Sequence, residues 1–301
     1  MANAADQERF PGHPLLPYVL VLPSVAVIGV FLVVPFLQSV QDSFYASTAF
    51  GTNTIYVGLR NYERVLASSD YRDSALATLL LSSFVIVVGL ALSLAIAQLL
   101  NQKIRGQGFY QVAFIWTYAL APSVAGAIWA LMFAPATGFV PFVVAELFDD
   151  YVLNWMTNGD LALLVVSVAA AWKMLGYNIV FFLAGLQNIP EEFVQAAKVD
   201  GAGPWRTFRD ITFPMLSPTT TFLLFVNTIY AFFQIFGLID IMTRGGPGNA
   251  TNILIYKLYR DAFLYLDAGA ASAQSIIIFV VIAVAGTIQL RFATRKAIYA
   301  R

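Results

Sequence analysis

Long uncharged runs alternate along the chain with short polar segments. A helix that crosses the hydrocarbon layer of a membrane needs about 20 mainly apolar residues. Six runs are long enough: Leu15–Gln41, Ser74–Gln102, Gly106–Ala145, Leu161–Pro190, Ile211–Ile239 and Ala268–Leu290. Because backbone groups in lipid must bond within their own segment, these runs are predicted to be helices. The expected fold is an all-α integral membrane protein with six transmembrane helices.

Two of these runs need a closer interpretation. The third is too long for one crossing, so we expect Gly108–Ala134 to cross, with a kink at Pro122. The remainder, Pro135–Asp150, is predicted to be a re-entrant or surface segment. The first run is longer than the apolar core of a cleavable signal peptide, which favours an uncleaved span.

Composition agrees with a membrane protein and excludes several chemistries. Of 301 residues, 59% are hydrophobic and 11% charged, with zero net charge, so no nucleic-acid partner is indicated. The chain has no cysteine, and its one histidine is His13, which excludes thiolate metal sites and histidine-based triads. It also lacks a Gly-x4-Gly-Lys-Ser/Thr loop, so any ATP must be hydrolysed by another polypeptide.

The distribution of Lys and Arg predicts the orientation. Six spans place both termini on one side of the membrane, and that side carries ten of these residues against six on the other. The ten are Arg9, Lys103, Arg105, Lys198, Arg206, Arg209, Arg291, Arg295, Lys296 and Arg301; the six are Arg60, Arg64, Arg72, Arg244, Lys257 and Arg260. Since basic residues collect in cytoplasmic loops, both termini are expected to be cytoplasmic.

A polar stretch, 188–215, separates the fourth and fifth runs and is predicted to form two short helices joined by a sharp turn. Prolines suit the first helical positions, acidic residues complement the helix dipole, and glycines can end the first helix. These residues are Pro190 and Pro204, Glu191 and Glu192, and Gly201 and Gly203. Small side chains are expected to leave a bare surface at Ala196, Ala197, Gly201 and Ala202. An amphipathic connector lying on the membrane is the alternative.

The same stretch resembles the coupling loop of binding-protein-dependent ABC importer permeases. In that loop Glu-Ala-Ala is followed by three residues, Gly, nine residues and Ile-x-Leu-Pro; Gln195-Ala-Ala, Gly201, Ile211 and Pro214 have this spacing. Gln195 replaces the family's Glu and Phe213 its Leu, which leaves a salt bridge to the ATPase in question. The resemblance implies ATPase contacts at Glu192, Gln195, Ala196, Ala197, Asp200, Gly201, Ala202, Gly203, Ile211 and Pro214.

Other segments extend the resemblance over most of residues 15–290. Val57–Tyr62 and Arg244–Thr251 resemble extracytoplasmic segments of the family, the second a Gly-Gly-Pro turn of its carbohydrate-importing members. Four segments are similar to the branch that imports sn-glycerol-3-phosphate: Tyr177–Phe182, Asp200–Pro204, Asn227–Phe233 and Leu254–Asp261.

The resemblance implies a single transmembrane domain, 1–301, with a core at about 15–292, in the inner membrane. It implies a second homologous permease, an ATPase dimer that binds ATP and Mg²⁺, and an extracytoplasmic solute-binding protein. This chain itself is expected to bind no cofactor or metal and to catalyse no covalent step. The implied solute is sn-glycerol-3-phosphate or a related glycerophosphodiester, and the alternative is a neutral sugar or oligosaccharide.

Polar residues inside the runs are candidates for the solute path, because such residues avoid lipid. They are Lys173, Tyr177 and Asn178 in the fourth run, Asn227, Tyr230 and Gln234 in the fifth, and Gln274 in the sixth. Residues four apart share a helix face, as Lys173 with Tyr177 and Tyr230 with Gln234. Lys173 is predicted to neutralise a phosphate. The alternatives are interhelical hydrogen bonds and, for Lys173, a partner on the second permease or snorkelling to one surface.

Two other classes of function compete with an importer subunit. A self-contained secondary transporter would leave the Gln195–Pro214 spacing unexplained, and no inverted repeat is evident. A membrane enzyme would need paired intramembrane carboxylates, for which Asp240 at the end of a run is the nearest candidate.

Overall fold

The computed structural model describes residues 15–47, 54–102, 106–148 and 153–296. Several residues used above lie outside these ranges: Arg9, His13, Lys103, Arg105, Asp150 and Arg301. The helices are α1 (Leu16–Asp42), α2 (Arg60–Ala67), α3 (Ser69–Leu100), α4 (Gln107–Ala119), α5 (Pro122–Met132), α6 (Phe139–Leu147), α7 (Gly159–Gln187), α8 (Glu191–Val199), α9 (Pro204–Met215), α10 (Ser217–Gln234), α11 (Phe236–Met242), α12 (Leu254–Tyr259) and α13 (Ala268–Lys296). A hairpin pairs β1 (Tyr45–Ser47) antiparallel with β2 (Thr54–Tyr56).

Four helices are by themselves apolar and long enough to cross a membrane: α1, α3, α7 and α13. Two pairs reach that length only together, α4 with α5 and α9 with α10, and they bend by 106° and 67°. The prediction of a mainly helical membrane protein is confirmed. The described residues supply between four and six spans, depending on whether each bent pair is one span.

The bends correct two predicted spans. Gly108–Ala134 is not one kinked helix, because the chain leaves the helical conformation at Leu120 and Ala121 and restarts at Pro122. The break thus lies beside the proline that was expected to kink the span.

The fifth predicted run, Ile211–Ile239, is divided among α9, α10 and α11. Pro218 lies in the first turn of α10, and a proline has no N–H with which to continue the hydrogen bonds of a preceding helix. A π-turn at Tyr230–Gln234 then ends α10.

The core forms where α3 packs along α7. Small residues let the two helices approach closely, since a Cβ on Gly89 would lie 3.8 Å from that of Ala171. Large apolar side chains, among them Leu81, Val85 and Val166, fill the space around this contact with α10 and α11. In contrast, Leu16–Ile28 of α1 buries no residue against the rest of the described chain.

The segment predicted as re-entrant or superficial contains the short helix α6. Its Phe139, Phe142 and Leu147 are exposed, as a segment in contact with lipid or a partner would require. The chain after it is anchored by Trp155, which is buried and donates a hydrogen bond from Nε1 to the carbonyl of Phe133, at 2.6 Å.

Candidate coupling surface and solute path

The two short helices predicted for 188–215 are α8 and α9. Glu191 and Glu192 lie in the first turn of α8 and Lys198 in its last, each charge opposite to the nearby end of the helix dipole. Pro190 is the N-cap of α8 rather than its first helical residue, which corrects the predicted start by one position. Pro204 does occupy the first turn of α9.

A glycine-dependent turn ends α8. Gly201 has φ +75°, a left-handed conformation that costs other L-residues energy. Its N–H donates to the carbonyl of Lys198 (3.1 Å), and the N–H of Ala202 donates to that of Ala197 (2.9 Å). These two bonds form a Schellman motif, which satisfies the last carbonyls of the helix with the chain's own backbone.

The exposed surface of this segment is slightly smaller than the sequence suggested. Glu192, Gln195, Ala196, Asp200 and Gly201 are exposed, as are Gly203 and Pro214, whereas Ala202 and Ile211 are half-buried. Ala197 is only 7% exposed, because it faces inward, and it therefore does not belong to the bare surface. A Cβ placed on Gly201 or Gly203 would meet no atom within 4 Å. This turn is open to close approach by another protein.

A polar cavity lies beside the same segment. It has a volume of about 460 Å³. Gln195 and Lys198 line it from α8, Asn101 and Gln187 from the ends of α3 and α7, and Thr212 from α9. Gln195 is thus placed between the exposed coupling surface and the ends of two candidate spans.

Lys173, on α7, is nearly completely buried, with 5% of its surface exposed. Its Nζ donates a hydrogen bond to the backbone carbonyl of Tyr118, at 2.9 Å, and lies 5.1 Å from the centre of the Tyr118 ring. The ring of half-buried Tyr177 lies 5.0 Å from the same ring. Lys173 and Tyr177 therefore do share a face of α7, and that face is directed at the end of α4.

Asn178 and Asn227 bond to each other rather than lining an open path. Both are fully buried, and their amides exchange two hydrogen bonds, Nδ2 of Asn227 to Oδ1 of Asn178 (2.8 Å) and the reverse (3.2 Å). Asn227 also donates to the carbonyl of Leu223 at 2.8 Å. In this conformation the pair joins α7 to α10, which was the alternative interpretation of these residues.

Tyr230 and Gln234, which were predicted to share a helix face, differ in burial. They are the two ends of the π-turn that closes α10. Tyr230 is buried, and its hydroxyl has no hydrogen-bond partner among the described residues, whereas Gln234 is exposed.

Gln274 belongs to a different polar cluster. It is 1% exposed and donates from Nε2 to Oδ2 of Asp261, which also pairs with Nζ of Lys257 at 3.1 Å. The spacing of Lys257 and Asp261, four residues apart, was a readable signal for this pair. Nothing in the sequence identified Tyr118 as the partner of Lys173, because the atom that accepts the hydrogen bond is its backbone carbonyl oxygen.

The fold and the coupling segment define a class of protein. Residues 89–298 match the sequence model of the binding-protein-dependent transport system inner membrane component. The chain belongs to this family of importer permeases. Two solved structures of a bacterial alginate ABC transporter, one in complex with an alginate pentasaccharide-bound periplasmic protein, share the fold at 20% identity. Their TM-scores are 0.77 and 0.78, over 94% and 93% of this chain and 93% and 95% of theirs.

Closer relatives carry one particular name. The chain is 40% identical to the sn-glycerol-3-phosphate transport system permease protein UgpA of Agrobacterium fabrum, over 96% of this chain and 98% of that protein. UgpA of Rhizobium meliloti is 39% identical over the same shares, and UgpA of Yersinia pestis is 40% identical over 94% and 96%.

Proposed function

We propose that the chain is one permease subunit of an ATP-driven importer of sn-glycerol-3-phosphate in the inner membrane. The observation that carries the proposal is the near full-length identity of about 40% to permeases named for that solute. A buried lysine in α7 supports a solute with a negative charge, because a cation inside a membrane span is costly unless it has a function there.

The chain's part in this process is mechanical and not catalytic. The coupling surface formed by Glu192, Gln195, Ala196, Asp200 and the Gly201–Gly203 turn docks on a separate ATPase dimer, which binds ATP and Mg²⁺. Ala197, Ile211 and Pro214 shape the segment behind that surface. A second, homologous permease completes the pathway, and an extracytoplasmic binding protein delivers the solute. ATP binding then selects one of two packings of the permease pair.

The solute path in this proposal is centred on Lys173 and Tyr177. Their shared face carries an ammonium for the phosphate and a phenol for hydroxyl groups. Asn178, Asn227, Tyr230, Gln234 and Gln274 remain path candidates for another conformation of the permease. Of these, Tyr230 keeps a buried hydroxyl to which a solute can bond.

The deciding experiment is uptake by the complete importer in proteoliposomes with ATP inside. We expect saturable uptake of labelled sn-glycerol-3-phosphate that excess unlabelled solute blocks and that a neutral disaccharide leaves unchanged. Uptake of the disaccharide alone would instead support the sugar alternative, and ATP-independent uptake by this chain would make it a secondary transporter.

The proposed topology counts each bent pair as one span, giving six spans with both termini in the cytoplasm. Because the chain has no cysteine, single cysteines can be labelled without background. Ala250 and Ala202 are a matched pair of half-buried alanines. An impermeant thiol reagent applied outside should label Ala250→Cys and not Ala202→Cys. The reverse pattern would invert the orientation and exclude the coupling assignment.

A further inference from the structure

The break between α4 and α5 leaves a backbone carbonyl that needs a donor. In a continuous helix the carbonyl of Tyr118 would accept a hydrogen bond from the N–H of residue 122. Residue 122 is a proline and has no N–H. Nζ of Lys173 donates to this carbonyl instead, at 2.9 Å, from a helix 55 residues further along the chain. The ammonium also lies at the negative end of the α4 dipole, where a cation is favoured.

The two halves of the broken span make their most extensive contacts with different neighbours, α4 with α7 and α5 with α11. On the α4 side, a Cβ on Gly176 of α7 would overlap the carbonyl oxygen of Phe114, so α4 and α7 touch at their backbones. On the α5 side, a Cβ on Gly237 of α11 would lie 2.5 Å from Oγ of Ser123. A movement of α7 relative to α11 would therefore act on Leu120 and Ala121, which join the two halves.

We propose that Lys173 holds this break by capping Tyr118, and that a phosphate-bearing solute competes with that carbonyl for its ammonium. The inference rests on the proposed function, which supplies the solute. A phosphate bears full negative charge and is a stronger acceptor than a neutral carbonyl. An ammonium has three donors, so it can transfer from one acceptor to the other without losing all its bonds. Solute binding would thus remove the cap from the Tyr118 carbonyl and free the hinge between α4 and α5.

The exchange can be followed as a distance across the break. Val112 on α4 and Leu131 on α5 are exposed, so cysteines there can carry spin labels without disturbing the core. The measurement uses the complete importer in lipid, with Lys173, Lys173→Met or Lys173→Arg. A label pair at Leu76 and Leu92 of unbroken α3, both exposed, is the control for general disorder. Arg72→Met, at an exposed cation in α3, is the control for loss of a charge.

Without solute, Lys173→Met should shift and broaden the Val112–Leu131 distance distribution, while Lys173→Arg and Arg72→Met leave it unchanged. With Lys173 present, sn-glycerol-3-phosphate should broaden the distribution and glycerol should not. The Leu76–Leu92 distribution should stay the same throughout.

Three results separate the parts of the proposal. An unchanged distribution in Lys173→Met would overturn the cap. If saturating sn-glycerol-3-phosphate leaves the Val112–Leu131 distribution unchanged in an importer that transports it, the proposed exchange of the Lys173 ammonium is wrong. The proposed function would remain intact. If the importer does not transport this solute, the proposed function and the exchange are both wrong, while the solute-free comparison still tests the cap.

Discussion

The turn between α8 and α9 and the break between α4 and α5 solve the same problem in different ways. In both, one helix ends, two or more residues leave the helical conformation, and a proline starts the next helix. The exposed turn satisfies its last carbonyls with N–H groups of Gly201 and Ala202. The apolar break draws a donor from Lys173, on a separate helix.

The difference follows from the surroundings. A helix end near water can rely on a local motif, because solvent satisfies whatever groups the motif leaves unpaired. A helix end inside a membrane has no water to donate hydrogen bonds, so a side chain from another part of the fold must donate to its carbonyls. The turn between α8 and α9 is therefore determined by adjacent residues, whereas the break between α4 and α5 depends on tertiary packing.

The largest effect should come from removing the remote donor. Lys173→Met leaves the Tyr118 carbonyl without its donor, and a hydrogen bond to a charged group contributes about 1.5–3 kcal/mol. We expect uptake of sn-glycerol-3-phosphate to fall by about tenfold or more, with Lys173→Arg retaining most of it. Initial uptake rates in proteoliposomes measure this. Normal transport by Lys173→Met would show that the break does not depend on a remote side chain.

The local turn should be sensitive at one glycine and tolerant at the other. Gly201→Ala forces a left-handed residue, at a cost of about 1–2 kcal/mol, whereas Gly203 has φ −70° and accepts alanine. Gly201→Ala should raise the ATP hydrolysed per solute imported, with the importer still assembled, and Gly203→Ala should not. Equal ratios in the two variants would mean that the turn geometry has no part in coupling.

The amide pair between α7 and α10 should contribute less. Interhelical hydrogen bonds in membranes average about 0.6 kcal/mol and reach about 1.7. Asn227→Leu should lower the thermal stability of the importer because it leaves the buried Asn178 amide unpaired, and the double variant with Asn178→Leu should recover part of that loss. A double variant less stable than the sum of the single variants would contradict this.

The smallest effect is expected at Gln195. This side chain is exposed and borders a polar cavity, so a carboxylate can be accommodated there. Gln195→Glu should change ATP hydrolysis and uptake little, since it restores the residue usual in related coupling loops. A strong loss in Gln195→Glu, with Gln195→Ala unaffected, would indicate a negatively charged neighbour on the ATPase.

Features that depend on residues close together in the sequence could be predicted from it. The α8–turn–α9 arrangement follows from Glu191, Gly201 and Pro204, whose preferences act within a few residues. The apolar runs predicted the helices but not the 106° bend, because a proline marks a break without specifying its angle. The spacing of Tyr230 and Gln234 did not predict that the first is buried and the second exposed at the end of α10.

The hydrogen-bond partners of buried polar residues could not be predicted from a single sequence. Asn178 and Asn227 are 49 residues apart and were seen only as two separate candidates for the solute path. The partner of Lys173 is a backbone atom, which every residue possesses and no side-chain pattern reveals. The pair formed by Lys257 and Asp261 was readable from its spacing, but the role of Gln274 beside it required the tertiary fold.

The first thirteen residues of α1 have a consequence for how this chain can vary. Leu16–Ile28 touches the core of the described chain so little that no side chain there is buried, and the match to the family begins only at residue 89. Selection on this stretch can therefore act on its length and hydrophobicity more than on the identity of any single residue. In a saturation mutagenesis library, exchanges among Leu, Val, Ile and Phe should survive there freely, while a single alanine at Gly176 should be depleted.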